Sequence, residues 1–247
     1  MTPHATGPAI DDLSSLGPVD AVVCDVGGVL VIPDPGVISA GLVSLGLEPP
    51  EAEVFVEAHY RAVIALDEAY AGGDGRAWGA YHAEYSAAVG HAGHDGVIDM
   101  LADAWGRPSD HVWVHVLQAN TSALARLAAS GVPVAIVSNS DGLIEAILAD
   151  LGICQVGPGA LTQVAAVVDS HVVGVAKPDP RIFAPALEIL GSEPGRTVYV
   201  GDTRHYDVGG ANAAGLVPVQ VDPLDLGRGS THLRVRTLGR LADHLGC

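Results

Sequence analysis

Residues 22–30 read VVCDVGGVL, an apolar, largely β-branched run that stops at one acid, Asp25, and passes through Val26 into two glycines. A run apolar on both faces predicts a strand buried on both sides, because a half-exposed strand alternates apolar with polar residues. Such a strand gains nothing from a terminal carboxylate, since desolvating a charge is costly unless it is paired. Asp25 is therefore a candidate for chemistry. The plain alternative is that Asp25 caps the next element while Gly27 and Gly28 make a tight turn, and the two readings are compatible.

Three further runs share this character: VPVAIVSNS (132–140), RTVYVGD (196–202) and LVPVQVD (216–222). Helical patterns lie among them, and each ends on a glycine, as helix C-termini favour: LARLAASG at Gly131, GLIEAILADLG at Gly152, DPRIFAPALEILG at Gly191 and VGGANAAG at Gly215. In the third, Asp179 suits the cap and Pro180 the first helical position, while Pro185 is expected to bend or shorten the helix. Strands alternating with helices predict an α/β fold with a Rossmann-like, mainly parallel sheet core.

The interval 36–118 is too long for one crossover helix and holds all three tryptophans and four of the six tyrosines. It reads as an inserted small α-helical domain. The expected segmentation is a flexible N-terminal segment, residues 1–17, an α/β core from 18–35 and 119–247, and the helical subdomain 36–118. TLGRLADHL (237–245) is expected to form a closing amphipathic helix with Leu238, Leu241 and Leu245 on one face.

With 247 residues and 49% hydrophobic content, the chain can bury a full core. Its net charge of -17, from 12 basic and 29 acidic residues, argues against nucleic acid and anionic membranes, both of which are bound through clustered Lys and Arg. The charge reads first as a contribution to solubility. No stretch approaches the ~20 apolar residues of a membrane span, and Met1 to Pro18 has neither a basic n-region nor an apolar h-region. Cys24, Cys154 and Cys247 are scattered, odd in number and without metal-ligand spacing, which suits a reducing compartment; a cytoplasmic location is expected.

In an open parallel sheet, ligands sit outside the carboxyl ends of the strands. Those ends here carry Asp25, then Ser138 with Asn139, then Asp202, and GVAKPDP (174–180) adds Lys177 just before a helix. An ammonium in a tight, Pro-flanked loop needs a partner, which several acids and a bound anion would supply. Taken singly, an Asp or Ser ending a strand is more often a helix cap or turn former. The order of all four is much more specific.

The stretches VVCDVGGVL, VAIVSNS, AKPDPRIF and VYVGDTRHYDVGGANAAG resemble the four motifs of the haloacid dehalogenase-like hydrolase superfamily, and the resemblance runs from Val19 to Asp222. The insertion after the first motif is similar to that family's helical cap. The resemblance implies a phosphatase acting on a small phosphorylated substrate, with Asp25 as the nucleophile that forms an aspartyl-phosphate. It implies that Gly28, Ser138, Asn139 and Lys177 contact the phosphoryl group, with Ser138 and Lys177 sharing in catalysis and Lys177 neutralising charge. It also implies Mg²⁺ held by Asp25, the Gly27 carbonyl, Asp202 and Asp207, since this hard cation takes oxygen ligands and retains waters. Asp207 is either a direct ligand or orients a water. His205, between the last two acids, reads as a substrate contact or as a solvated loop histidine.

Gly27 is the departure from the family's pattern. Its phosphatases place there a second aspartate that protonates the leaving oxygen and then activates water, whereas this chain has no side chain at that position. General acid–base catalysis contributes about 10² to 10⁴ in rate, so reduced activity survives its loss. The repair is a good leaving group, as in an anomeric, acyl or pyrophosphate; a proton from His59, His82 or Asp34; or water. Two alternatives to phosphate chemistry follow from the same departure. One is a 2-haloacid dehalogenase-type hydrolase, which needs no metal and is therefore disfavoured by Asp202 and Asp207. The other is a catalytically retired module that binds a phosphorylated ligand or a protein.

Specificity is expected in the cap, where Tyr60, Arg61, Tyr70, Arg76, Trp78, Tyr81, His82, Tyr85, Trp105 and Trp113 are candidates. Aromatics at helical spacing are more often packing, so Arg61 and Arg76 are the preferred polar contacts. Cap closure about hinges at 34–36 and near Asn120 is expected, in a monomer or homodimer.

Overall fold

The computed structural model describes residues 7–106 and 112–247. It divides into two compact units: residues up to Leu30 together with Leu117–Cys247, and Val31–Val116. Of the N-terminal segment 1–17, residues 1–6 lie outside the described residues. The rest of that segment is fastened to the first unit: Leu13 is buried, and Asp11 pairs with Arg236 at 2.8 Å.

The strands are β1 (Ala21–Cys24), β2 (Val31–Pro33), β3 (Trp113–Val116), β4 (Val134–Ser138), β5 (Cys154–Val156), β6 (Thr162–Val164), β7 (Ala166–Asp169), β8 (Thr197–Gly201), β9 (Val217–Val221) and β10 (Leu233–Val235). Six of them form one sheet in the order β10-β9-β8-β1-β4-β7, and every pairing in it is parallel. All four residues of β1 are completely buried, as a strand apolar on both faces requires in a doubly covered sheet. The four strands expected from the sequence are β1, β4, β8 and β9; β7 and β10 extend the sheet at its two edges.

The helices are α1 (Pro35–Ser44), α2 (Ala52–Ala71), α3 (Ala77–Ala88), α4 (Asp95–Trp105), α5 (Gln118–Ala129), α6 (Ile144–Asp150), α7 (Ser170–Val173), α8 (Ala184–Leu190), α9 (Gly209–Ala214) and α10 (Leu238–His244). The glycines read as helix stops, Gly131, Gly152, Gly191 and Gly215, all have positive φ. Where one bent helix was expected from Asp179 to Gly191, there are two elements: a 3₁₀ turn over Pro180–Phe183, capped by the Asp179 side chain, and then α8. Pro185 falls in the first turn of α8, where its missing N–H is not needed. On one side of the sheet Val23, Ala135, Val137, Phe183, Tyr199 and Ala211 pack into one core cluster. Leu238 and Leu241 of α10 are fully buried, and Leu245 is half-buried.

The second unit contains α1 to α4 and, in addition to the helices the sequence suggested, an antiparallel ribbon of β2 and β3. This ribbon makes the unit begin at Val31 and end at Val116. Helices α2 and α3 pack together, and rings of α3 and α4 interlock: Tyr81 lies 5.9 Å from Tyr85 and 5.8 Å from Trp105, and His82 lies 5.5 Å from Trp105. His59 is fully buried among these rings and bonds Tyr81 Oη through Nδ1 at 2.8 Å. Burial holds its imidazole down at about 3, against an ordinary 6.5. Among the described residues no helix is long and apolar enough to cross a membrane.

Candidate active site

Strand register brings the polar ends together. Cys24 of β1 pairs with Ile136 of β4 on one side and Val200 of β8 on the other. Each neighbouring strand therefore runs on past Cys24, placing Ser138 and Asp202 beside the loop that begins at Asp25. Asp25 N–H still donates to Val200 O at 2.8 Å, so its main chain is held by the sheet while its side chain lies beyond the strand. β1 is flanked by strands reached in opposite chain directions, the switch point at which open α/β sheets form their ligand crevice.

Gly28 adopts φ +66, a region that L side chains rarely occupy, and a Cβ there would stand 1.9 Å from Asp202 Oδ2. The glycine thus lets the chain turn sharply and lets the Asp202 carboxylate close against it. Gly201 leaves room in the same way for Asp207, whose Cγ would lie 2.3 Å from an added Cβ.

Lys177 is 3% exposed, with its ammonium at the centre of the cluster. It lies 2.8 Å from Asp25 Oδ1 and 2.7 Å from Asp207 Oδ1, and it donates to Tyr199 Oη at 2.7 Å. The loop carrying it is pinned by Asn139, whose Oδ1 accepts from Lys177 N at 2.8 Å and whose Nδ2 donates to Lys177 O at 3.0 Å. The sequence reading placed Asn139 among the phosphate contacts through its backbone; its side chain holds the lysine loop.

Asp207 is held from every direction. Its Oδ1 accepts from Lys177 and, at 2.9 Å, from Tyr199 Oη, and its Oδ2 accepts from Thr203 N at 2.9 Å and Thr203 Oγ1 at 2.6 Å. A π-helical turn over Arg204–Val208 carries the acid back beneath Thr203. Four donors match the lone-pair capacity of one carboxylate.

The charge balance indicates what kind of group the cluster could hold. Carboxylate oxygens of Asp25, Asp202 and Asp207 lie within 4.8 Å of one another, all buried, and one ammonium faces them. Burial pushes Asp25 up to about 7, its two acidic neighbours adding to the rise and Lys177 opposing it. Burial also raises Asp207, but the ammonium and the Thr203 bonds outweigh it and leave that carboxyl below its usual range. Lys177 stays above its usual value because its two acids overcome desolvation. Asp25 Oδ1 is buried and accepts no well-aligned hydrogen bond, its ion pair with Lys177 being its contact. Excess negative charge and an under-used carboxylate oxygen suit a divalent cation with hard oxygen ligands. Proximity admits all three as ligands, but the lone pairs of Asp207 are committed to four donors, which makes it the least suited of them.

Asp25, Gly28, Ser138, Asn139, Lys177, Asp202 and Asp207 all belong to the first unit. Gly27 is half-buried and, as read from the sequence, offers no side chain. Arg61 pairs with Glu84 at 2.9 Å and Glu57 at 3.7 Å, and Arg76 precedes α3. Sequence reasoning missed Tyr199, Thr203 and Gln220, whose Nε2 donates to Asp202 O at 2.7 Å. Thr203 carried a weak signal as a cap-forming residue before a helical turn; Tyr199 and Gln220 sit inside apolar runs and carried none.

A family model described as haloacid dehalogenase-like hydrolase matches residues 19–215. A glyceraldehyde 3-phosphate phosphatase of Methanopyrus kandleri is 49% identical over 55 residues, covering 22% of this chain and 24% of that protein. Haloacid dehalogenase-like hydrolase domain-containing protein 3 of Mus musculus is 35% identical over 132 residues, covering 52% of this chain and 49% of the relative. The chain thus spans half or less of the curated relatives it matches. Among solved structures, the HAD-hydrolase YfnB of Bacillus subtilis bound to magnesium superposes with a TM-score of 0.60 at 18% identity, covering 94% of this chain and 100% of that one, a likeness of fold.

Proposed function

The chain belongs to the haloacid dehalogenase-like hydrolase family, and we propose that it is a Mg²⁺-dependent phosphatase that acts on a small phosphorylated metabolite through an aspartyl-phosphate at Asp25. The observation that carries this reading is the buried cluster of Asp25, Lys177, Asp202 and Asp207, in which three carboxylates face one ammonium. Asp25 and Asp202 would hold the ion, which when bound offsets the repulsion between two anions that must meet.

The chain's own residues account for the rest. Asp25 attacks phosphorus through a carboxylate oxygen, the bond to the ester oxygen breaks, and the phosphoryl group passes to the aspartate. Ser138, buried at the end of β4, is positioned to bond the transferring oxygens. Lys177 offsets charge on the nucleophile at 2.8 Å. Water then attacks phosphorus, releasing phosphate and restoring the Asp25 carboxylate. Gly27 gives the departing oxygen no acid, so the substrates that fit best leave readily: anomeric, acyl and pyrophosphates. His59 is bonded to Tyr81 within the second unit and has its basicity removed by burial, which makes it a poor proton donor. We assign the second unit as the family's cap, in which the interlocked rings serve as packing.

The test is a screen of phosphate release from sugar, acyl and nucleotide phosphates with Mg²⁺ present. Release that stops with a chelator and in Asp25→Asn is expected. Chloride release from a 2-haloacid without Mg²⁺ would establish the dehalogenase reading instead. No turnover of any ester, with ligand binding unchanged in Asp25→Asn, would favour a binding module.

A further inference from the structure

Tyr199 lies on β8 between Val198 and Val200, where the surrounding run leads one to expect packing alone. Its ring does pack: it is 1% exposed, and Phe183 meets it edge-on with centroids 4.9 Å apart. The hydroxyl has a separate role. It accepts from Lys177 Nζ at 2.7 Å and donates to Asp207 Oδ1 at 2.9 Å, while Val137 O, at 3.4 Å, is a poorer acceptor. Phenylalanine would fill the same space without burying an oxygen, so the hydroxyl is maintained against a desolvation cost.

We propose that Tyr199 is a positioning residue for phosphoryl transfer, its hydroxyl taking one N–H of Lys177 and fixing the direction in which the ammonium faces Asp25. The inference rests on the phosphatase reading above. A lysine ammonium is a compact charge with three donors on a flexible stem. Nζ donates to Asp207 and to Tyr199, each at 2.7 Å, and faces Asp25 in an ion pair at 2.8 Å, so the two hydrogen bonds are what fix its position against Asp25. As Asp25 gives an electron pair to phosphorus, its oxygens lose negative charge and their hold on Lys177 weakens. Asp207 and Tyr199 then retain the ammonium where the carboxylate will be regenerated when water releases phosphate. Without the hydroxyl, Lys177 is left with one anchor and a buried, unpaired N–H at that stage. The loss therefore falls on turnover rather than on substrate binding.

The comparison that tests this is Tyr199→Phe against Phe183→Leu, which disturbs the same packing without touching Lys177 or Asp207. Tyr199→Phe is expected to lower kcat about tenfold or more with KM within about twofold; Phe183→Leu should lose thermal stability and keep its kcat below the transition. In ¹⁵N-lysine-labelled protein, the Lys177 ammonium signal, protected from exchange by burial and its two hydrogen bonds, should broaden or vanish in Tyr199→Phe and persist in Phe183→Leu. This second readout needs no substrate, so an inactive wild type would refute the phosphatase reading while the spectrum still decides the role of Tyr199. A Tyr199→Phe variant with wild-type kcat, or with an unaltered Lys177 signal, overturns the proposal.

Discussion

Asp25 shows how one residue's surroundings set its chemistry. A buried carboxylate next to two others would ordinarily be protonated; an ammonium 2.8 Å away makes the ionised form, which the proposed nucleophile needs, attainable. The arrangement depends on Gly28, whose φ of +66 and missing Cβ admit the Asp202 carboxylate. Gly28→Ala is expected to lose roughly 1–2 kcal/mol of stability from the left-handed backbone and, because Asp202 must move, at least about tenfold in Mg²⁺ affinity and activity. Calorimetric Mg²⁺ titration and urea unfolding check this; wild-type Mg²⁺ affinity in the variant would show that the close approach does not matter. The place of Asp25 in the buried cluster was readable because a lone acid ends an apolar run. The role of Tyr199 was not, since a tyrosine in such a run has the same sequence signature whether or not its hydroxyl is used.

At the scale of elements, legibility followed burial symmetry. Strands β1, β4, β8 and β9 are covered on both faces and announce themselves as apolar runs, whereas β10 carries Arg234, which reads as surface. Arg234 is 3% exposed because Asp222, at 2.8 Å, and Asp225, at 2.7 Å, neutralise it, a pairing that no local pattern displays. The ribbon of β2 and β3 escaped notice for a related reason: its partners are far apart in sequence, and Pro33 argues against a strand. In α2, His59 makes stability depend on pH. Its folded pKa of about 3 lies below the ordinary 6.5, so the unfolded chain binds more protons and stability falls as pH drops through that window. The stability of wild type relative to His59→Gln should fall by roughly 3 kcal/mol from neutral pH to about pH 4.5. Denaturant unfolding at the two pH values measures it, and an unchanged difference would mean that His59 is not buried in its neutral form.

For the whole molecule, a net charge of -17 sits awkwardly with the anionic substrate proposed above. Long-range repulsion should slow encounter, and the local cluster, not the overall field, must supply the attraction. Raising salt from about 10 to about 150 mM shortens the screening length from ~30 to ~8 Å, so kcat/KM at saturating Mg²⁺ is expected to rise with ionic strength; a fall would show that a positive field steers substrate to the site. The central claim is that Asp25 becomes phosphorylated, and its most direct measurement is acid quenching during turnover of an acyl or sugar phosphate, followed by peptide mass spectrometry. The account requires a phosphoryl group on the peptide at Asp25, labile to hydroxylamine and absent from Asp25→Asn. Phosphate released with that peptide unmodified throughout, or the group found on another residue, would contradict it.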